Sequence, residues 1–185
     1  MTAFVVLFVV AVVPLAPTEA VLIGYGVLAA SGELSLTAVI AVAALGCTLS
    51  DFVNFGVGRG VGLRALEKVG RRPGPRAVIA WTAERLATRG ESILVAVRFV
   101  PGGGLVGAVL AGSLRWRLRR FAPIAVVGAT LWSAYTATLG YFGGQVFTDP
   151  VVATLVSFAV ATLIGVPIGM AVRAAQRREP LSAGP

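Results

Sequence analysis

Three charged side chains, Glu19, Asp51 and Arg98, each stand alone inside a long apolar stretch of the chain. A charged group in the middle of a hydrocarbon layer costs about 2.5–3.5 kcal/mol, so each of them should be neutral, paired or in contact with water. An arginine cannot lose its charge, and Arg98 therefore needs an anion, which is Glu19, Asp51 or a phosphate group of a ligand. The two carboxyl groups are predicted to be the proton-exchanging groups of the molecule.

Backbone N–H groups close to Arg98 are predicted to complete an anion site. Gly102, Gly103 and Gly104 follow it in a glycine run, and free amides in such a run form a concave nest that favours negative charge. Purely structural interpretations stay open for each charged residue: Glu19 as a helix cap near the interface, Asp51 as the fixed partner of Arg98, and Arg98 as a side chain that reaches back to the headgroups. No metal cluster and no nucleophile–base pair is visible in the sequence, so neither a cofactor nor an enzyme is predicted.

The composition excludes a water-soluble domain. Of the 185 residues, 57% are hydrophobic and 13% are charged, and the mean hydropathy is +0.88. Soluble domains have about 25% charged and roughly 45–50% apolar residues. The net charge of +8 comes from arginines that flank apolar segments, which favours anionic lipid over nucleic acid as the partner. Histidine is absent, which excludes His-dependent membrane hydrolases and most zinc or haem sites.

The basic residues indicate how the chain crosses the membrane. Except for Arg98, they fall in clusters that the positive-inside rule places in the cytoplasm, at 59–89, 115–120 and 173–178. Arg59 ends the first crossing on that side and is a secondary candidate for the anion site. The predicted crossings are 34–59, 121–147 and 151–172.

Two further apolar segments are predicted to be re-entrant hairpins. Segment 91–114 has cytoplasmic clusters at both ends, so it enters and returns on the same side, with its break at Pro101. Segment 1–32 is broken by Pro14 and Pro17 and is predicted to dip in from the outside. The alternative for 1–32 is a single long crossing from a cytoplasmic N-terminus.

The remaining segments complete a single membrane domain over residues 1–175. Residues 60–90 are predicted to form a cytoplasmic loop with an interfacial helix at 76–89, and 176–185 a disordered cytoplasmic tail. The first stretch lacks a basic n-region and a convincing cleavage site, so no cleaved signal peptide is expected.

A weak internal repeat supports this arrangement. Three elements of the first half recur in the second in the same order: Pro17, Ser31-Gly32 and Gly46-x-Thr48-Leu49 are matched by Pro101, Ala111-Gly112 and Gly128-x-Thr130-Leu131. Each half consists of a hairpin and a crossing in opposite orientation, and inverted repeats with broken helices are typical of transporters. The predicted fold is an all-α integral membrane protein with two inverted-repeat re-entrant hairpins, about three full transmembrane helices and a short interfacial helix.

Four motifs in order resemble the DedA family, also called the SNARE-associated or VTT-domain family. They are Pro14-x-x-Pro17-Thr18-Glu19, Asp51-x-x-x-Phe55-x-x-Gly58-Arg59-x-x-Gly62, Arg98-Phe99-Val100-Pro101 followed by Ala111-Gly112, and Gly128-x-x-x-Trp132 with Gly140-Tyr141-x-x-Gly144. The resemblance covers about residues 14–144. Gly104 departs from it, since the family commonly has a second arginine there.

The resemblance implies a lipid transporter. Members are implicated in moving lipids between leaflets with dependence on the proton-motive force, including undecaprenyl phosphate in bacteria. Carried over to this chain, Glu19 and Asp51 would be the protonatable pair and Arg98 the partner of the headgroup. The expected protein is a multi-pass bacterial inner-membrane flippase with a cytoplasmic C-terminus, whose partners are a membrane lipid and protons, with homo-oligomerisation left open. A passive phospholipid scramblase and an envelope-assembly factor are the alternatives.

Overall fold

The computed structural model describes residues 1–14, 16–61, 91–99, 103–147, 149–161 and 163, and this part of the chain is helical without any β-strand. The expectation of an all-helical fold is therefore confirmed for these residues. The helices in chain order are α1 (Thr2–Val12), α2 (Thr18–Ala30), α3 (Leu36–Val61), α4 (Glu91–Arg98), α5 (Gly103–Ser113), α6 (Leu118–Val146) and α7 (Pro150–Ala161).

Helices α3 and α6 are long and apolar enough to cross a membrane, and they pack against each other at the centre of the molecule. At 1.5 Å per residue they are about 39 and 44 Å long, more than the ~30 Å hydrocarbon core. The outer face of α3 exposes an apolar stripe at every fourth position, formed by Leu45, Leu49, Val53 and Val57. Such a stripe is typical of a lipid-facing surface, because continuous apolar patches are rare on helices that face water.

The first apolar stretch is not one continuous helix. Helix α1 ends at Val12, Pro14 lies in the break, and Pro17 is the N-cap of α2. The hydroxyl of Tyr25 donates a hydrogen bond to the carbonyl of Ala3 at 2.7 Å. This bond joins the start of α1 to the second half of α2, so α2 runs back along α1.

Helices α4 and α5 are related in a similar way. A Cβ on Gly103, the first residue of α5, would overlap the backbone of Val97, and one on Gly107 would lie 3.0 Å from the side chain of Leu94. The two helices therefore pack closely and run in opposite directions. The break predicted at Pro101 and Gly102 lies outside the described residues.

Glycines let the short helices approach the long ones. Gly26 of α2 and Gly140 of α6 each face the partner helix so closely that a Cβ would overlap its backbone, and Gly58 of α3 and Gly112 of α5 do the same. Small residues at such crossings are the usual means of close helix packing in lipid. Helix α2 is thereby fixed on α6, and α5 on α3.

Several predicted segments extend beyond the described residues. Helix α7 is the beginning of the predicted crossing 151–172, whose end is not described. The predicted interfacial helix 76–89 and the tail 176–185 lie entirely outside the described residues.

Replacing Gly26 with alanine is expected to destabilise the protein by about 1–3 kcal/mol, since the added methyl group overlaps the backbone of α6 at Ala137. Gly24 on the same helix is the matched control, because a Cβ there has nothing within 4 Å. Gly24→Ala should be neutral or stabilising by about 0.5–1 kcal/mol through helix propensity. Denaturant unfolding in detergent measures both, and equal stabilities would contradict the close α2–α6 contact.

Candidate functional site

An ion pair between Asp51 and Arg98 forms the centre of the site. Asp51 lies within α3, Arg98 is the last residue of α4, and Nη1 of Arg98 donates to Oδ2 of Asp51. The side chains are only 11% and 7% exposed, for Arg98 and Asp51 respectively. Of the anions that the sequence left open for Arg98, the structure brings Asp51 to it. Breaking such a buried pair is costly, because the remaining charge has no partner.

The rest of the Arg98 side chain is enclosed by Trp132 and Gly128 of α6 and by Gly104 of α5. Its guanidinium carbon lies 5.9 Å from the centre of the Trp132 ring, a cation–π distance. A Cβ on Gly104 would lie 3.5 Å from Cγ of Arg98, and one on Gly128 would lie 3.6 Å from its Cδ. The Nε of Arg98 is buried without a hydrogen-bond partner among the described residues. One donor of the guanidinium is therefore held by Asp51 while another still lacks an acceptor.

A small pocket with a cavity volume of about 20 Å³ lies beside this ion pair. Its wall combines the charged pair with glycine and apolar side chains from α4, α5 and α6: Asp51, Leu94, Arg98, Gly104, Ala108, Phe121, Ile124, Ala125 and Gly128. The contributions of α6 come from its first half, close to the exposed arginines at 117, 119 and 120. The pocket thus joins the buried arginine to the basic end of α6.

Glu19 lies apart from the Asp51–Arg98 pair. It is half-buried in the first turn of α2, and no ion pair to it occurs within the described part of the chain. Its charge acts on the hydroxyl of Tyr135 on α6. The ring of Tyr135 packs edge-on against Phe99 at 5.9 Å, next to Arg98. Tyr135 is therefore close enough to Glu19 to interact with its charge and also contacts the residue next to Arg98.

The other predicted site residues do not all lie at the pocket. Gly103 packs against the backbone of Val97 and does not line the pocket, whereas Gly104 does. Arg59 is exposed and donates from Nη1 to the carbonyl of Trp116 at 3.0 Å, which ties the end of α3 to the α5–α6 connection. Gly102 and Pro101 lie outside the described residues.

Of the pocket glycines, Gly104 belongs to the predicted anion nest, whereas Gly128 and Trp132 are not predicted as site residues from the sequence. Glycine in a membrane helix more often serves packing than binding, and an aromatic residue is more often a belt or packing residue. The sequence does carry one indication: Gly128 and Trp132 are one helical turn apart and therefore share a face of α6.

The chain is similar in sequence to known membrane proteins. A family model described as the VTT domain matches residues 16–142. An uncharacterized membrane protein of Synechocystis is 29% identical over 80% of this chain and 71% of its own length. An uncharacterized membrane protein of Mycobacterium tuberculosis is 32% identical over 70% and 62%, and the inner membrane protein YohD of Escherichia coli is 31% identical over 71% and 67%. No solved structure matches this chain significantly.

Removing one member of the ion pair is expected to destabilise the protein strongly. Asp51→Leu leaves the guanidinium of Arg98 buried without its anion, which costs about 3–5 kcal/mol. The double variant Asp51→Leu/Arg98→Met removes both charges and should recover most of this loss. Glu33→Gln is the control, since Glu33 is exposed. Denaturant unfolding in detergent measures all of them, and a double variant no more stable than the single one would contradict the pairing.

Proposed function

The chain belongs to the VTT-domain family, also called the DedA family, and from this we propose that it is a proton-motive-force-dependent transporter of an anionic lipid headgroup. The proposed location is the bacterial inner membrane, in line with the name of the Escherichia coli relative. The C-terminus is proposed to be cytoplasmic. The observation that carries the proposal is the buried Arg98, whose Nε lacks an acceptor beside an open pocket. We favour undecaprenyl phosphate as the substrate.

Phosphate chemistry suits this pocket. A phosphate oxygen supplies the acceptor that Nε of Arg98 lacks, and charge-assisted hydrogen bonds between arginine and phosphate are among the stronger ones in proteins. The cavity itself has a volume of about 20 Å³, which is room for about one water-sized group. A single phosphate oxygen would therefore reach Arg98, while the rest of the headgroup and the hydrocarbon chain stay outside the cavity.

The basic end of α6 favours the approach of an anionic lipid. Four arginines of the α5–α6 connection and the start of α6 are exposed: Arg115, Arg117, Arg119 and Arg120. Each basic residue near an anionic membrane surface contributes about 1 kcal/mol of attraction. The pocket wall includes Phe121 directly after this cluster, so headgroups gathered there reach Arg98 along α6.

Proton coupling requires that protonation changes the affinity for phosphate. Asp51 occupies Nη1 of Arg98, and a protonated Asp51 no longer neutralises the guanidinium, so that the arginine binds an incoming anion more strongly. Glu19 is the second proposed proton site; its charge acts on Tyr135, whose ring packs against Phe99 next to Arg98. Protons that enter with the substrate and leave after it would link headgroup movement to the gradient.

The helix pairings support the inverted repeat that alternating access needs. Helix α1 packs on α3 and α4 packs on α6, while α2 packs on α6 and α5 packs on α3. Exchanging α1–α3 with α4–α6 therefore reproduces these four pairings. The glycine crossings follow the same exchange, since Gly26 with Gly140 corresponds to Gly112 with Gly58. In this exchange Gly112 corresponds to Gly26, whereas the sequence repeat matches it with Gly32. We propose that α1–α2 and α4–α5 are re-entrant hairpins entering from opposite sides.

Cysteine labelling tests this topology. In a Cys47→Ala background, Ser31→Cys and Arg117→Cys introduce exposed thiols in the α2–α3 and α5–α6 connections. A membrane-impermeant maleimide added to sealed, oriented vesicles should label each from one side only, and the two from opposite sides. Labelling of both from the same side would contradict the proposed hairpins.

Transport in proteoliposomes tests the function itself. With a pH gradient, the parent protein should move a polyprenyl phosphate between leaflets, and Arg98→Lys should slow this about 10- to 100-fold, because a lost hydrogen bond to a charged group costs about 1.5–3 kcal/mol. Glu19→Gln should abolish the dependence on the gradient, whereas Glu33→Gln, an exposed carboxylate far from the pocket, should behave like the parent.

The same assay separates the alternatives. Equal movement with and without the gradient would favour a passive scramblase and overturn the coupling. A parent protein that moves no lipid and co-purifies with an envelope protein would favour an assembly factor. If Glu19→Gln retained full gradient dependence, Glu19 would have no role in coupling.

A further inference from the structure

Two hydroxyl groups on α6 are buried without any hydrogen-bond partner in the described part of the chain. The side chains of Ser133 and Thr136 are 0% and 1% exposed, and their oxygens are unpaired. Leaving such a group unpaired in an apolar interior is costly, and nearly all buried polar groups in proteins have a partner. Cys47 lies next to Ser133, but a thiol is only a weak hydrogen-bond donor and acceptor. Both hydroxyls therefore lack a strong hydrogen-bond partner among the described residues.

Two other threonines of this chain form a hydrogen bond within their own helix. Thr48 donates to the carbonyl of Ala44 at 2.7 Å, and Thr130 donates to that of Val126 at 2.8 Å. This bond to the preceding turn is the ordinary arrangement for a threonine in a membrane helix. Thr136 departs from it, and its hydroxyl is left for a partner outside the helix.

The internal repeat gives these positions a counterpart. Gly46, Thr48 and Leu49 of α3 match Gly128, Thr130 and Leu131 of α6, and continuing in the same register pairs further buried positions. These pairs are Asp51 with Ser133, Asn54 with Thr136, and Gly58 with Gly140. The hydroxyls thus occupy on α6 the face that carries the buried polar residues on α3.

Ser133 and Thr136, here called the hydroxyl row, each lie near one of the two carboxylates. Cys47 contacts Arg98 on one side and Ser133 on the other. At the other end, Ile23 of α2 packs against Gly140, and Val27 packs against Gly144 one turn further on. Helices α2 and α6 therefore run in step, and one turn back from Ile23 brings Glu19 level with Thr136. The groups near the row that titrate or carry charge, among the described residues, are Glu19, Cys47, Asp51, Arg98 and Tyr135.

We propose that Ser133 and Thr136 bind internal water molecules that form a hydrogen-bonded connection between Glu19 and the Asp51–Arg98 pair. Water supplies both donors and acceptors and satisfies buried hydroxyls in just this way. The headgroup pocket is lined by α6 residues from Phe121 to Gly128, whereas Ser133 and Thr136 lie further along α6 and do not line it. The role of this connection in coupling rests on the proposed function, but the presence of the water does not.

X-ray radiolytic footprinting of the purified protein, without added lipid substrate, tests the water site. Hydroxyl radicals form from bound water and modify nearby side chains, and Cys47 is a reactive probe in contact with Ser133. Cys47 should be modified readily despite its burial, and Ser133→Ala/Thr136→Val should reduce its modification several-fold. Thr130→Val is the matched control, since its hydroxyl is exposed and bonded within its helix, and it should leave the modification unchanged.

Two outcomes would overturn the proposal. One is a Cys47 in the parent protein that is unmodified, or modified equally in the double variant. The other is a higher unfolding temperature for the double variant than for the parent, because removing hydroxyls from a water-free interior stabilises it. In proteoliposomes the double variant should move lipid without responding to the gradient. If the parent moves no lipid at all, the proposed function fails and the footprint alone decides on the water.

Discussion

The permanent charge of one buried arginine constrains the centre of this molecule. Arg98 lies at the end of a short helix and is nearly enclosed, and the hydrocarbon layer supplies nothing that neutralises it. Asp51 on α3 is its partner. Arg98 itself belongs to α4, which packs against α5, and the glycines at 58 and 112 let α5 lie close to α3. The close packing of α5 on α3 therefore helps to hold α4, and with it Arg98, beside Asp51.

Helix α6 brings the separate requirements together. Its first half borders the pocket, Trp132 lies against the guanidinium, and Tyr135 packs against Phe99 within reach of the charge of Glu19. Because α6 also carries the Gly140 crossing with α2, a shift of either short-helix pair along it changes the surroundings of Arg98. A transporter needs such a shared element, since coupling between two sites requires one structural change that both ligands favour.

The sequence predicts the parts of the site that depend on local chemistry. Lone charges in apolar stretches identify Glu19, Asp51 and Arg98, and Pro14 and Pro17 identify the break before α2. The choice of Asp51 over Glu19 as the partner of Arg98 does not follow from the sequence, because it depends on which helices the glycines bring together. Ser133 and Thr136 escape detection for a different reason: hydroxyl residues in membrane helices usually bond to their own backbone, and only the structure reveals those that do not.

The two halves of the proposed repeat carry unequal chemistry on matching positions. Where α3 has Asp51 and Asn54, α6 has Ser133 and Thr136, so one half holds a charged pair and the other neutral hydroxyls. A symmetric pair of charged sites would place two arginines and two carboxylates in the hydrocarbon layer, at a cost that grows with each charge. Unequal halves avoid this cost. In the proposed transport, the unequal halves would let the substrate anion bind at one half while protons reach it through the other.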